Sequence, residues 1–150
     1  FKGLQHRHEV FYKKKNKIFI NDSKATSFQA TKFALESNRN ILWIVGGLPK
    51  IGDKFKLKNL KENIIKTYII GKHLKKFKNE LSGEVKFEVS KTLKKAVNSI
   101  FKDMKEIGNK RLTILLSPAS ASYDQFKNFE ERGSQFKALI KNYARINRKK

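Results

Sequence analysis

The sequence predicts one α/β domain of Rossmann-like type: a mostly parallel sheet flanked by helices, with an N-terminal antiparallel hairpin at the sheet edge. Short apolar runs rich in β-branched residues alternate with longer stretches of helical periodicity. The length of 150 residues suits a single domain, residues 1–150, and 39% of the residues are hydrophobic, enough for a core. Strands that alternate with helices need crossover connections, and such connections produce parallel pairing.

The predicted strands follow in chain order. Glu9 to Tyr12 and Lys17 to Ile20 should form the hairpin, joined by a lysine-rich turn. The run Ile41 to Val45 is apolar throughout and ends in two glycines, as in a strand buried on both faces. Comparable runs predict three further strands, at Ile64–Ile70, Val85–Val89 and Leu112–Leu116.

The predicted helices fill the intervals between these strands. Apolar residues at helical spacing predict helices at Thr26–Glu36, Lys72–Glu80 and Ser90–Ile107. A last helix should start near Asp124, because aromatic and aliphatic residues then recur every three, four or seven positions. Phe126 and Phe136 in this helix are assigned to the core.

The charge is the most conspicuous feature of the composition: 35 Lys plus Arg against 13 Asp plus Glu give a formal charge of +22. Such a charge makes a nucleic-acid-binding module an alternative hypothesis, because cations that neutralise phosphates drive non-specific binding. Lys outnumbers Arg 29 to 6, however, a pattern typical of codon usage in an A/T-rich genome. We therefore interpret most of the lysines as solvated surface and expect no nucleic-acid partner.

Several classes of protein are excluded by what the sequence lacks. With no cysteine, the chain has no disulfide scaffold, thiolate metal site or cysteine nucleophile. No apolar run approaches the roughly 18 residues of a membrane span, so we expect no membrane partner. Gly71-Lys72 lacks the other positions of a P-loop, and His6 and His8 have no third ligand beside them, so no metal site is predicted. The chain resembles a binding domain, and its first residue, Phe1, suggests a piece of a longer protein.

Three polar turns stand where strands end and carry the predicted site. They are Asn21–Thr26, Gly46–Lys50 and Ser117–Asp124, which hold cations, hydroxyls and paired glycines. In a parallel sheet, ligands bind beyond the carboxyl ends of the strands, where loops and helix N-termini converge. Cationic, hydroxyl and amide donors at one place predict a small anionic ligand, with two carboxylates compatible.

These residues resemble the C-terminal domain of the Mur ligases. The resemblance rests on Ile20–Thr26, on Trp43–Gly47 with Lys50, and on the block Leu116–Gly133, in the family's order. Gly3–Glu9 resembles the stretch where that domain begins. The closest similarity is to the branch that adds D-glutamate, and a sister Mur ligase that adds another amino acid stays an alternative.

The resemblance implies an enzyme, an ATP-dependent amide-forming ligase of peptidoglycan synthesis in the bacterial cytoplasm. In that chemistry, UDP-N-acetylmuramoyl-L-alanine is phosphorylated by ATP to an acyl phosphate, which the amine of D-glutamate attacks. ATP and Mg²⁺ are bound mainly by a central domain. That domain and the N-terminal uridine-binding domain are not in this chain, so we expect the domain alone to be inactive. We also expect a monomer that contacts its own central and N-terminal domains.

The resemblance also implies roles for single residues. The residues implied in binding D-glutamate are Thr26, Lys50, Ser122, Tyr123 and Phe129, the last through its backbone. The residues implied in binding ATP are Arg7, Asp22 and Lys24, and Lys24 is also the implied catalytic residue, between nucleotide and acyl phosphate. The residue types fit these roles, because cations and hydroxyls bind carboxylates and a carboxylate binds ribose hydroxyls.

Overall fold

A six-stranded sheet forms the centre of the molecule, which a computed structural model describes from residue 4 to residue 148. Its strands are β1 (Glu9–Lys14), β2 (Lys17–Asn21), β3 (Ile41–Val45), β5 (Ile64–Ile70), β6 (Phe87–Lys91) and β7 (Leu112–Leu116). The strand order is β1-β2-β7-β3-β5-β6, antiparallel between β1 and β2 and parallel elsewhere. The predicted α/β class, with its N-terminal hairpin at the edge, is confirmed.

Four α-helices and a short second sheet complete the fold. The helices are α1 (Phe28–Ser37), α2 (Leu74–Leu81), α3 (Leu93–Ile107) and α4 (Phe129–Arg148). Two-residue strands β4 (Leu48–Pro49) and β8 (Ser120–Ala121) pair antiparallel, and Lys61–Asn63 form one turn of 3-10 helix. Within residues 4–148, no helix combines the length and the apolar character that a membrane crossing needs.

The core lies in two layers, one on each face of the sheet. One layer packs Leu35 of α1 and Phe77 of α2 against Trp43, and each of these side chains is fully buried. The other layer packs Ile100 of α3 and Phe136 of α4 against the opposite face. Full burial of such a side chain stabilises the fold by about 2 kcal/mol, so helices on both faces are favoured. Phe136 is thus a core residue as predicted, and Phe126 is half-buried against the same layer.

The start of the last helix differs from the prediction. The residues after Ser122 form turns in which Gln125 and Phe126 donate backbone hydrogen bonds to its carbonyl. Asn128 then caps α4 by accepting a hydrogen bond from Glu131 N at 2.8 Å, so the helix begins at Phe129 and not near Asp124. The aromatic spacing counted from Asp124 was misleading, because Phe126 reaches the core from a turn.

The other boundaries move by one to three residues, for local reasons. Ser27 caps α1 and Thr92 caps α3 through their hydroxyls, so α1 begins at Phe28 and α3 at Leu93, two and three residues after the predicted starts. α2 begins at Leu74, two residues after the predicted start Lys72, whose backbone N–H donates to the Asp124 carboxylate at 3.0 Å.

Candidate functional site

The sheet register brings the three polar turns together. β7 lies between β2 and β3, with Asn21 opposite Leu116 and Ile44 also opposite Leu116. The strand ends before the turns Asn21–Thr26, Gly46–Lys50 and Ser117–Asp124 are therefore neighbours at one edge of the sheet. Pairing of β7 with β2 and β3, both distant from it in sequence, thus creates the site, as in other open parallel sheets.

Two of these turns are tied to each other by the β4–β8 pair. Leu48 lies opposite Ala121, and Gly46 donates a backbone hydrogen bond to the Pro118 carbonyl at 3.0 Å. Gly46 has a φ of 130°, and a Cβ there would lie 2.0 Å from the Ile70 carbonyl oxygen. Only glycine allows this close approach, which fixes the position of the Lys50 loop.

A cleft of about 340 Å³ opens between the tied turns. Its lining residues are Thr26, Ser27, Leu48, Pro49, Lys50 and Ala121. The structure therefore brings Thr26 and Lys50, two residues predicted from sequence, to one cavity, and both are exposed. Ser122 follows directly after the lining residue Ala121 but is only 2% exposed, whereas Tyr123 is 70% exposed.

Asp22 is buried, and both of its carboxylate oxygens have partners. Oδ1 accepts a hydrogen bond from His8 N at 2.9 Å, and Oδ2 accepts one from Ser117 Oγ at 2.7 Å. Burial raises the pKa of this carboxyl above its ordinary value, while the bonds from Ser117 and His8 oppose the rise. With 5% of its surface exposed, Asp22 joins the N-terminal segment to the end of β7.

Arg7 lies in a backbone segment held under strain. The residues on either side, His6 and His8, have φ values of 65° and 43°, in the left-handed region that costs energy for a non-glycine residue. His6 N donates to Glu9 Oε1 at 3.0 Å, and its carbonyl accepts from Lys24 N at 3.0 Å. With the Asp22 bond to His8, these contacts fix the segment and present the exposed Arg7 side chain at this edge.

Lys24 and Phe129 lie side by side. The exposed Lys24 ammonium is 5.6 Å from the centroid of the Phe129 ring, a cation–π contact. The Phe129 carbonyl accepts a hydrogen bond from Ser23 Oγ at 2.7 Å. Its N–H belongs to the first residue of α4 and therefore has no acceptor inside the helix. The Phe129 N–H is therefore the kind of backbone donor that the sequence predicts to bind a carboxylate of the ligand.

Sequence reasoning missed Arg132. This fully buried residue on α4 donates from Nε to Ser23 Oγ at 2.9 Å and from Nη2 to the Ser23 carbonyl at 2.6 Å. A signal was present: Arg132 is three residues after Phe129 and four before Phe136, so it occupies the face of α4 that packs inward. A cation on the inward face of a helix indicates a specific partner.

The described residues fit a polyphosphate better than a metal ion. Arg7 and Lys24 are exposed cations on the same edge of the sheet and suit the charge of ATP. Across residues 4–148, no group of three or more histidine or carboxylate side chains is arranged to hold a metal ion.

Comparison with known proteins points to one family. No protein-family model matches the chain. The chain is 45% identical over 141 residues to UDP-N-acetylmuramoylalanine--D-glutamate ligase of Nitrobacter hamburgensis, covering 94% of the chain. It is 42% identical over 140 residues to the ligase of the same name from Bradyrhizobium diazoefficiens, covering 93% of the chain. The chain spans about 30% of the length of these relatives.

A solved structure supports the same assignment at the level of fold. The structure of MurF from Acinetobacter baumannii superposes with a TM-score of 0.60 at 15% identity, over 93% of this chain and 30% of that one. At this identity the likeness concerns the fold alone. With relatives at 42–45% identity across nearly its whole length, the chain belongs to the Mur ligase family, in which it corresponds to the C-terminal domain.

Proposed function

We propose that this chain is the amino-acid-binding domain of a ligase that joins D-glutamate to UDP-N-acetylmuramoyl-L-alanine. The observation that carries the proposal is the cleft that holds both Thr26 and Lys50. A hydroxyl and a point positive charge at one cavity suit a carboxylate ligand. The relatives named for D-glutamate support this amino acid over the substrate of a sister ligase.

In the proposed complex, several groups share the two carboxylates of D-glutamate. Lys50 supplies charge, Thr26 and Ser122 supply hydroxyls, and the free N–H of Phe129 supplies a backbone donor at the start of α4. Tyr123 is exposed beside Ser122 and would cover the bound amino acid. Two carboxylates held at both ends orient the amine, and orientation is the main contribution a protein makes to such a reaction.

ATP would lie on the other side of the turn Asn21–Thr26 from D-glutamate. The exposed Arg7 and Lys24 side chains would meet its phosphates, and the spare lone pairs of the buried Asp22 carboxylate would accept from the ribose after a small local opening. Lys24, two residues before Thr26 in the same polar turn, would stand between nucleotide and amino acid and stabilise the negative charge of the acyl phosphate. Mg²⁺ would neutralise phosphate charge when bound, mainly through the central domain.

This function places the domain in the bacterial cytoplasm, in a protein with its own central and N-terminal domains. The domain alone would bind but not catalyse, because it spans only about 30% of the length of its relatives and, by the resemblance, ATP and Mg²⁺ are bound mainly by the central domain. We expect the 150-residue chain by itself to show no ATP hydrolysis and no product formation. Turnover by this chain alone, followed by phosphate release, would contradict the proposal.

The main test is substitution, in the complete enzyme, of Lys50, which lines the cleft, and of Ser122, which follows the lining residue Ala121. Lys50→Ala and Ser122→Ala should each raise the KM for D-glutamate about tenfold or more, because each removes one charge-assisted hydrogen bond to a carboxylate. Lys54→Ala, an exposed lysine four residues after Lys50, serves as the matched control and should leave this KM unchanged. An unchanged KM for D-glutamate in both Lys50→Ala and Ser122→Ala would refute the proposed site.

A further inference from the structure

Arg132 is a cation enclosed by protein. None of its surface is exposed, and two of its three guanidinium nitrogens donate to a single residue, Ser23. The third, Nη1, is buried and has no hydrogen-bond partner in the part of the chain that the structure describes. Buried donors are nearly always paired, so an unpaired one on a charged group needs an explanation.

The positive charge is also unpaired. Within residues 4–148, no carboxylate forms an ion pair with Arg132, and Asp124 acts on it only through space. Burial lowers the pKa of the guanidinium to about 10, with the charge of Asp124 opposing the shift. Arg132 therefore stays charged at neutral pH, and a buried charge without a partner destabilises the free domain.

The position of Arg132 connects it to all three turns of the site. Ser23, which it holds by two hydrogen bonds, lies between Asp22 and Lys24, and Ser23 Oγ donates onward to the Phe129 carbonyl. Nη1 faces the second turn, where a Cβ added to Gly47 would lie 3.3 Å from it. The same added Cβ would lie 2.8 Å from Ser120 Oγ in the third turn.

We propose that Arg132 is a positioning residue for the anionic ligand. Its guanidinium Nε and Nη2 atoms hold the turn that carries Lys24 and Thr26 against the start of α4. Its unpaired positive charge lies directly behind the turns that face the ligand. A dicarboxylate bound in front of these turns would offset that charge at short range in a poorly solvated site. The proposal rests on the proposed binding of D-glutamate and adds a residue that no ligand has to touch.

The test compares Arg132→Met and Arg132→Lys in the complete enzyme. Methionine keeps much of the side-chain volume of arginine but has no charge and no hydrogen-bond donor. Lysine keeps the positive charge but lacks the planar guanidinium that donates two bonds to Ser23. We expect Arg132→Met to raise the KM for D-glutamate at least about tenfold with less than about a twofold change in the KM for ATP. Arg132→Lys should raise the KM for D-glutamate less than Arg132→Met does.

Thermal melting separates this role from a purely structural one. Because the guanidinium is buried without a carboxylate, Arg132→Met should melt within a few degrees of the wild type while its D-glutamate KM is impaired. Arg111→Met, at an exposed arginine, is the matched control and should change neither readout. A D-glutamate KM unchanged in a folded Arg132→Met would overturn the proposal, as would equal rises in both KM values with a large loss of melting temperature.

If Arg132→Met fails to fold, Arg132→Lys decides: a raised D-glutamate KM supports the proposal and an unchanged one overturns it. Failure of the proposed function is recognised separately, because the wild-type enzyme would then not use D-glutamate at all.

Discussion

Two cations mark contrasting regions of this domain: the partly buried Lys66 under α3, and the fully buried Arg132 beside the proposed ligand site. Beneath α3, Lys66 Nζ lies 2.7 Å from Glu88 Oε1 and 2.8 Å from Asp103 Oδ2. Although burial opposes it, these bonds raise the pKa of Lys66 and hold the pKa of both carboxyls below their ordinary values. At the carboxyl edge of the sheet, Arg132 has no carboxylate beside it in the described structure.

The difference shows how charge is used in each region. A charge that stabilises the folded chain finds its opposite within the chain, as Lys66 does. A charge left unpaired weakens the free domain and is compensated only when an anion arrives. Net charge alone conceals this distinction, because exposed lysines dominate the total of +22.

The largest effect on stability should follow from Lys66→Met. Removal of the ammonium leaves Glu88 and Asp103 partly buried without a cation, so the free energy of unfolding should fall by about 2 kcal/mol. Urea denaturation at pH 7 measures it. The matched control is Lys32→Met, which breaks an exposed ion pair to Glu36 and should cost about 0.5 kcal/mol or less. Similar losses in the two variants would remove the contrast between the regions.

Acid should weaken the Lys66 region selectively. The pKa values of Glu88 and Asp103 in the folded state lie below their ordinary values of 4.5 and 3.8. Their contribution is therefore fully present above the unfolded-state pKa values and is lost as the pH falls through the folded-state values. We therefore expect this pair to make the free energy of unfolding lower at pH 3 than at pH 6. Urea denaturation of Lys66→Met should show a shallower fall, whereas Arg132→Met should keep the wild-type slope.

Ser23→Ala should have a smaller effect at the other region. The hydroxyl accepts from Arg132 Nε and donates to the Phe129 carbonyl, so its loss leaves the buried Nε donor without a partner, while the carbonyl remains an acceptor within α4. The expected cost is about 1 kcal/mol of unfolding free energy. The control is Ser82→Ala, whose exposed hydroxyl donates to the Lys78 carbonyl within one turn of chain. A cost below that of the control would mean that the Ser23 bridge contributes nothing.

The smallest effect is expected from three exposed lysines at the tip of the β1–β2 hairpin. Lys13, Lys14 and Lys15 are exposed, and no described carboxylate pairs with them. Changing all three to Gln should leave the urea midpoint unchanged and should reduce only weak, salt-sensitive binding to DNA, titrated at about 0.15 M salt. Tight, sequence-dependent DNA binding by the wild type would revive the nucleic-acid hypothesis.

The sequence by itself determined the fold class and most of the elements. Ile41–Val45 is apolar at every position, and only a strand covered on both faces buries such a run. The first three helices were located by their spacing, with start errors of two residues where Ser27 caps α1 and three where Thr92 caps α3, whereas the start of α4 was predicted about five residues too early. The positions of Thr26 and Lys50 after strand ends also follow from sequence, because parallel strands end at one edge.

The tertiary structure decided which of these residues meet and which are enclosed. Insertion of β7 between β2 and β3 places Ser117 beside Asp22, 95 positions away in sequence, and no local pattern specifies that strand order. The helical spacing of Arg132 from Phe129 and Phe136 places it on the inward face of α4, but its charged and glycine neighbours in the chain give no sign of what it contacts. Its burial depends on long-range packing of α4 against Ser23, and long-range packing is what the sequence does not display.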